Sequence, residues 1–389
     1  MPLTGLICLL ALAQSVNVEV PFHVTDDALI VDVVVNERPV SLMFDTGFSG
    51  AVVLNNAIDV GPATGTMILR DFVGEMEAKT VKVKSLKIGT QVIDPVEMEI
   101  VQQPMARMSA SYNSHTDGIL GLGALDKYVT EINFQKKMFI FHPKSYDISK
   151  RTPDGKTTFL TKMLPIGNIA IVMEAGTAGG KNFVMSLDTG NSFFATTHRD
   201  VLERVGLWTE GKKADFMHQS EVASGAVDSW SAHVKQATIF GVPVESSVWD
   251  IIDLPSSSAE SDGTVGYQFL KNFNVTFDYE RRRVWFERIT EKVGNPIMGE
   301  TGISAGYDPQ HHRIVIEDIA PGSPAEKAGI KEEDELLSVG DLDLTTQHYR
   351  QIKKLLEGEI GSKITVSASR NGDLKRYNLV RASLVNETN

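Results

Sequence analysis

Apolar and polar residues alternate along most of the chain in short segments that are typical of β-strands. The clearest segment spans residues 28–50 (ALIVDVVVNERPVSLMFDTGFSG), where two apolar stretches flank the polar turn Asn36–Arg38 and the second stretch ends in Asp-Thr-Gly. Such stretches on either side of a short polar turn predict a β-hairpin. Residues 168–192 (NIAIVMEAGTAGGKNFVMSLDTGNS) follow the same design, with a glycine-rich turn at 176–180. The pattern predicts a mainly β protein in which one hairpin design occurs twice.

The similarity between the two halves continues downstream at a nearly constant offset. The aspartates of the two Asp-Thr-Gly turns, Asp45 and Asp188, are 143 residues apart. The segments 117–122 (DGILGL) and 262–267 (DGTVGY) are 145 residues apart, with one apolar residue of the first segment replaced by a threonine in the second. Each half then closes with a further hairpin pattern. We therefore expect two related lobes.

After about residue 296 the pattern changes again. Apolar stretches at 314–316 and 335–339 predict strands, and residues 347–356 carry apolar side chains at the spacing of an amphipathic helix. The predicted organisation is a first lobe over 18–142, a second lobe over 157–290 and a small module over 296–384.

The N-terminal residues 6–13 (LICLLALA) form a short apolar run. A membrane-spanning helix needs about 20 apolar residues, so we expect no stable membrane span here. The run and the Ala-Leu-Ala pattern at 11–13 are typical of a signal peptide over residues 1–15, although no Lys or Arg precedes Arg38. We expect export to the periplasm or the extracellular space; the alternative is a buried first strand or helix.

The composition narrows the classes of function. A chain of 389 residues is long enough for two to three domains of about 100–200 residues each. With 38 Lys and Arg against 50 Asp and Glu, the net charge is −12, which argues against nucleic acid as the main partner. The single cysteine, Cys8, excludes a disulfide scaffold and cysteine-rich metal modules. We expect neither a metal nor a cofactor.

The two aspartates suggest a specific chemistry. Each follows an apolar strand and precedes Thr-Gly, and a glycine lets another part of the backbone approach closely. If the lobes pack about a pseudo-two-fold axis, the two carboxylates meet in a cleft, where they share one proton because like charges cannot both ionise cheaply. Such a pair holds an acid and a base near one water molecule, which suits hydrolysis of a peptide bond.

Taken together, these motifs make residues 18–290 resemble the bilobal pepsin-like aspartic proteases, and the lean, duplicated lobes also resemble the retropepsins. The resemblance implies a six-stranded floor beneath two β-barrel-like lobes and a protein or peptide substrate. It places the catalytic pair at Asp45 and Asp188. The supporting loop residues that it implies are Thr46, Gly47, Thr189, Gly190, Asn191, Ile119, Leu120, Gly121, Val265 and Gly266.

The sequence departs from that family at the residue after each Asp-Thr-Gly. Many bilobal members have a Ser or Thr there that donates to the carboxylate, whereas this chain has Phe48 and Asn191. Losing a donor to the charged form raises a carboxyl pKa, so we expect a less acidic working pH than that of digestive relatives. The flap over the cleft should lie within residues 65–80, without the family's usual tyrosine.

Residues 320–341 (APGSPAEKAGIKEEDELLSVGD) resemble a PDZ domain of the bacterial type. That resemblance implies binding of a peptide C-terminus as an added β-strand. The groove residues that it implies are Gly302, Ile303, Tyr349, Ile352 and Leu356.

The sequence thus predicts an exported, monomeric aspartic endopeptidase whose PDZ domain docks the C-terminus of a substrate or partner. One alternative is a catalytically silent peptide receptor that uses the cleft and the PDZ groove as two binding sites. Another is that each lobe pairs with a lobe of a second chain.

Overall fold

The computed structural model describes residues 17–389 apart from 26, 71–73, 94–97, 105–115, 167–169, 223–224, 257–260, 309 and 346–351. The predicted signal peptide, the tip of the predicted flap and Tyr349 lie outside the described residues. The described chain is mainly β, as predicted. Within it, no helix combines the length and the apolar composition that crossing a membrane requires.

The first half of the chain forms short strands joined by tight turns. Its strands are β1 (Val18–Thr25), β2 (Ala28–Val35), β3 (Arg38–Asp45), β4 (Val52–Asn55), β5 (Ala63–Arg70), β6 (Glu75–Val83), β7 (Leu86–Ile88), β8 (Gln91–Ile93), β9 (Met98–Gln103), β10 (Gly118–Gly121), β11 (Val129–Asn133) and β12 (Met138–His142), with a 3₁₀ turn at Leu122–Ala124.

The second half adds two short helices to a similar set of strands. Its elements are a 3₁₀ turn (Ile148–Lys150), β13 (Thr158–Lys162), β14 (Val172–Gly176), β15 (Asn182–Leu187), β16 (Ala195–His198), α1 (Arg199–Arg204), β17 (His218–Val222), β18 (Gly225–Ile239), β19 (Val242–Ile252), β20 (Gly263–Val265), α2 (Tyr267–Leu270), β21 (Phe273–Asp278) and β22 (Arg283–Arg288).

The C-terminal module is a small antiparallel sheet with two helices. Its elements are β23 (Ile303–Asp308), β24 (Arg313–Ile319), α3 (Pro324–Ala328), β25 (Glu335–Val339), β26 (Leu342–Asp343), α4 (Ile352–Leu356), β27 (Lys363–Arg370) and β28 (Asp373–Val380), followed by the short strand β29 (Asn386–Glu387). The sheet order is β23-β24-β25-β27-β28, so β23 is an edge strand.

The two halves place their strands in the same order. The order is β2-β3-β10-β4-β9-β6-β5 in the first half and β14-β15-β20-β16-β19-β18-β17 in the second. In both, the strand before the aspartate pairs in parallel with the strand of the apolar–glycine element, and the outer strands form an antiparallel hairpin. Position by position, the two sheets can therefore be compared directly.

A further group of strands joins the halves beneath these sheets. Its order is β13-β22-β21-β11-β12-β1, and the central pair, β11 and β21, comes from the two different halves. The pairing is antiparallel, with Val129 opposite Asp278 and Ile132 opposite Val275. Strands from the two halves of the chain are therefore hydrogen-bonded to each other in this group.

One apolar core runs through both halves, and the C-terminal module has a core of its own. In the first core, Phe269 packs against Phe240, Phe273 and Phe286 with ring centres 5.0 to 6.1 Å apart. Full burial of one such side chain contributes roughly 1.5–3 kcal/mol. The joined strands and the core therefore fix the two aspartate loops.

The C-terminal module is attached to the second half by two segments. In the segment before β23, the Asn295 side chain exchanges hydrogen bonds with the Val248 backbone at 2.8 and 3.2 Å. In the segment after β28, Asn386 is 3% exposed and its amide bonds the backbones of Phe216 and Ser231 at 3.1 Å each. The module therefore sits beside the lobes.

Candidate active site

The two Asp-Thr-Gly turns follow β3 and β15, and an apolar–glycine strand passes beneath each of them. Gly121 of β10 lies opposite Asp45, and Asp188 donates its N–H to the carbonyl of Val265 at 2.9 Å. A Cβ at Gly121 would lie 2.3 Å from the Gly50 carbonyl oxygen. A Cβ at Gly266 would likewise lie 2.3 Å from a loop carbonyl. Only glycine fits there, which explains the predicted Ile119–Gly121 and Val265–Gly266 elements.

The threonines of the two turns brace each other across the interface. The Thr46 hydroxyl donates to the Leu187 carbonyl at 2.8 Å and accepts from the Thr189 N–H at 2.9 Å. The Thr189 hydroxyl donates to the Phe44 carbonyl at 2.7 Å and accepts from the Thr46 N–H at 3.0 Å. Both threonines are at most 2% exposed. The four bonds hold the loops in a fixed, symmetric relation.

The glycines allow each loop to contact the opposite carboxylate. A Cβ at Gly47 would lie 2.7 Å from Cγ of Asp188, and a Cβ at Gly190 would lie 2.7 Å from Cγ of Asp45. Either side chain would collide with a carboxylate. The glycine of each turn thus sets how close the two loops can be.

The two loops bring the carboxyl groups of Asp45 and Asp188 close enough to affect each other's pKa. Burial raises the pKa of Asp188 well above its usual value, and the negative charge of Asp45 raises it further. Burial also raises the pKa of Asp45, although the hydrogen bond with Asp188 and the N–H groups of Gly47, Phe48 and Gly190 act against it. Both pKa values are therefore raised above that of an ordinary aspartate, and each group influences the other.

The residue after each turn donates through its backbone. The N–H groups of Gly190 and Asn191 donate to Oδ1 of Asp188 at 2.9 and 3.2 Å. The N–H groups of Gly47 and Phe48 serve Asp45 in the same way. At Phe48 and Asn191, where the side-chain hydroxyl found in many members of the family is missing, the backbone N–H still donates to the carboxylate of the preceding aspartate.

The Asn191 side chain instead bonds to the hydroxyls of two threonines. Its Nδ2 donates to Thr196 Oγ1 at 2.9 Å and to Thr264 Oγ1 at 2.7 Å. Phe48, at the corresponding place in the first loop, packs against an apolar cluster that includes Met43 and Ile119.

These contacts belong to two matching rows of side chains, one across each sheet. Strand pairing aligns one row in the first half, which we call the apolar row because four of its five members are apolar: Met43, Ile119, Val53, Val101 and Thr80. The same pairing aligns the polar row, which is Ser186, Thr264, Thr196, Asp250 and Ser231. Met43 and Ser186 each stand two residues before the aspartate of their loop, so both rows begin beside the carboxylates. The two lobes therefore share a fold but differ in the chemistry of these rows.

A cavity of about 2260 Å³ contains the two aspartates. All of the polar row and all of the apolar row except Thr80 line it, as do Met67, Ile68 and Met76 of the β5–β6 hairpin. This hairpin lies where the flap was predicted, and Met67 and Ile68 are 44% and 51% exposed. The cavity is large enough for an extended peptide.

The C-terminal module opens into the same cavity along β23. Gly302 has a φ of +81°, and its N–H donates to no acceptor among the described residues. Ile303 begins the edge strand. Ile352 and Leu356 of α4 are each 3% exposed and belong to the module's core, and Ile352 also lines the cavity. Four of the five predicted groove residues are therefore in the described structure.

Comparison with known families agrees with this architecture. Residues 31–124 match the family model described as aspartyl protease, and residues 315–369 match the one described as PDZ domain. The first match includes Asp45 and ends before the second Asp-Thr-Gly turn. No curated protein matches the sequence. The chain thus contains one segment that matches an aspartyl protease model and, C-terminal to it, a second segment that matches a PDZ domain model.

Proposed function

We propose that the protein is an aspartic endopeptidase in which Asp45 and Asp188 activate a water molecule. The observation that carries the proposal is that the two loops bring the carboxyl groups of Asp45 and Asp188 close enough to affect each other's pKa, in a cavity of peptide size. The aspartyl protease match supports the class of hydrolase.

Within this proposal one carboxyl group acts as the base and the other as the acid. Asp45 begins ionised and takes a proton from the water molecule while the oxygen of that water attacks the peptide carbonyl carbon. Asp188 begins protonated and gives its proton to the carbonyl oxygen, which leaves a neutral tetrahedral intermediate. When the C–N bond breaks, Asp45 returns its proton to the leaving nitrogen and Asp188 takes one back from a hydroxyl. The carboxyl pair thus ends in its starting state.

We propose further that the edge strand β23 binds the C-terminus of a substrate or partner as an added strand. The free N–H of Gly302 would donate to the terminal carboxylate, as the backbone does in this mode of recognition. Support comes from the PDZ match and from the place of β23 at the sheet edge.

Export to the periplasm or the extracellular space is also a proposal, which rests on the apolar run at residues 6–13. Sequencing the N-terminus of the protein recovered from its native host tests it. Both aspartates come from one chain, so we propose that the active form is a monomer, which sedimentation during an activity assay would test.

The test of the proposed function is cleavage of a mixed peptide library, read by mass spectrometry. Wild type should produce defined fragments, whereas Asp45→Asn and Asp188→Asn should produce none above background. Asp228→Asn, an exposed aspartate on β18, is the matched control and should cleave like wild type. Equal low turnover in wild type and both active-site variants would favour the silent peptide receptor instead.

A further inference from the structure

Asp250 stands out in the polar row because it is a buried acid at a position where the other lobe has Val101. It lies on β19, paired with Thr196 on one side and Ser231 on the other, and it is 2% exposed. Val101 has the corresponding neighbours in the first lobe. An acid in such a place needs a partner, since burying an unpaired charge is costly.

The described residues satisfy only one of its two carboxylate oxygens. Oδ1 lies 3.0 Å from His218 Nε2 and accepts from Ser220 Oγ at 3.1 Å. Oδ2 is buried and has no hydrogen-bond partner among the described residues. No Lys or Arg of the described chain lies within ion-pair distance of Asp250. The amine of Lys353 lies 3.9 Å from Glu357. Burial acts to lower the pKa of this amine, but the negative charges of Glu300, Glu357 and, more weakly, Asp250 raise it.

The side chains around Asp250 are polar, and several of them line the peptide cavity. Asp250, His218 and Ser231 all line that cavity. The threonines of the row are held by Asn191, so their hydroxyls keep a fixed arrangement. A lysine ammonium carries three donors and an arginine guanidinium five, and neither carries an acceptor, so either group matches a wall of carboxylate and hydroxyl oxygens.

We propose that the polar row is a subsite for a Lys or Arg side chain of the substrate, with Asp250 as its anionic partner. This inference rests on the proposed function, because it takes the cavity as the place where the peptide binds. The apolar row would hold an apolar side chain of the same peptide. Successive side chains of an extended peptide point to opposite sides, so the preferred sequence has a basic and an apolar residue near the scissile bond.

Binding of matched peptides to the inactive Asp45→Asn chain tests the subsite apart from catalysis. Three fluorescent peptides should differ at one position only, with lysine, acetyl-lysine or norleucine. We expect the lysine peptide to bind about 10- to 100-fold more tightly than the other two, as a charge-assisted hydrogen bond in a buried site allows. Equal dissociation constants for the three peptides would overturn the proposal.

Variants then locate the preference. In the Asp45→Asn background, Asp250→Asn should remove the preference for lysine, and Asp250→Val, which copies Val101, should reverse it toward norleucine. Asp228→Asn should keep it. A lysine preference that survives both Asp250 variants, in chains shown to be folded by their thermal unfolding, would overturn the assignment. If both variants fail to fold, the comparison of lysine with acetyl-lysine on the parent chain decides.

Cleavage of the same peptides by wild type separates this inference from the proposed function. Tight binding of the lysine peptide without any cleavage would refute the endopeptidase and leave the subsite. Cleavage of all three peptides with equal kcat/KM would refute the subsite and leave the endopeptidase.

Discussion

The two lobes have the same strand order but line their shared cavity with opposite chemistry. The first lobe presents the apolar row, against which Phe48 packs. The second presents the polar row, whose threonines bond the Asn191 side chain. The side chain after each Asp-Thr-Gly therefore has the same polarity as the row beside it. In both loops the backbone N–H of this residue donates the hydrogen bond to the carboxylate. Its side chain is therefore not needed for that bond and can contact the neighbouring row.

The comparison also shows what the two loops have in common. The threonine braces and the close-packed glycines are symmetric, whereas the surroundings of the aspartates differ, because the apolar row begins beside Asp45 and the polar row beside Asp188. Symmetry in the backbone with asymmetry in the environment is how one pair of identical groups can hold an acid and a base.

The largest effect should come from the aspartates themselves. Asp45→Asn and Asp188→Asn each remove one proton-transfer group, so kcat/KM for a cleaved peptide should fall by at least about 100-fold and up to about 10,000-fold. Similar losses in both loops would confirm that the two lobes contribute equally. If one variant kept its activity, the claim that both aspartates are needed for cleavage would be wrong.

The threonine braces should show equal effects in the two loops. Thr46→Val and Thr189→Val each leave a buried N–H and a buried carbonyl without their partner, which should lower the free energy of unfolding by about 2–3 kcal/mol. Urea denaturation of the two variants measures this. A loss confined to one variant would show that the symmetric bonds are not equally important.

Exchanging the residues after the turns tests the match with the rows. Asn191→Phe leaves two threonine hydroxyls without their donor and should cost about 1–3 kcal/mol of stability. The triple variant Asn191→Phe, Thr196→Val, Thr264→Ile places the residues of the first half (Phe48, Val53 and Ile119) at these positions. It should recover part of the lost stability. A double-mutant analysis of the unfolding free energies measures the recovery. Additive losses would mean that side chain and row are independent.

A smaller effect should appear in how stability depends on pH. Because burial and the charge of Asp45 raise the pKa of Asp188, the folded chain binds that proton more tightly than the unfolded chain does. The resulting stability is fully present below the unfolded pKa of about 3.9 and is lost as the pH rises through the folded value. Asp188→Asn has no such proton to lose, so its Tm should increase relative to the Tm of wild type as the pH rises.

Thermal unfolding of both chains from about pH 4 to pH 8 checks this sign. Asp45→Asn should show a trend of the same sign, since burial raises the pKa of Asp45 as well. Parallel Tm curves for wild type and Asp188→Asn would contradict the raised pKa.

Much of the fold was predictable because the hairpins carry strong local signals. The hairpin at 28–50 is formed by β2 and β3, and the glycine of each turn was recognisable from Asp-Thr-Gly. The PDZ elements followed from a distinctive turn before α3. The helix predicted over 347–356 is described only from Ile352 to Leu356.

The polar row was not predictable, because its members become neighbours only through strand register. Thr264 was visible as the polar residue in an otherwise apolar element, but Asp250 lies in a stretch with little similarity to the region around Val101. The attachment by Asn386 also escaped prediction, since a short polar segment carries no periodic signal. Long-range pairing of this kind depends on the assembled sheets.

The most direct test of the shared proton is the dependence of kcat/KM on pH for one peptide. We expect a bell-shaped profile, because activity needs one carboxyl group ionised and the other protonated, with both limbs displaced upward from the pKa of an ordinary carboxyl group. Activity that rises with pH to a plateau, with no descending limb, would show that no protonated carboxyl group is required and would contradict the paired-aspartate mechanism.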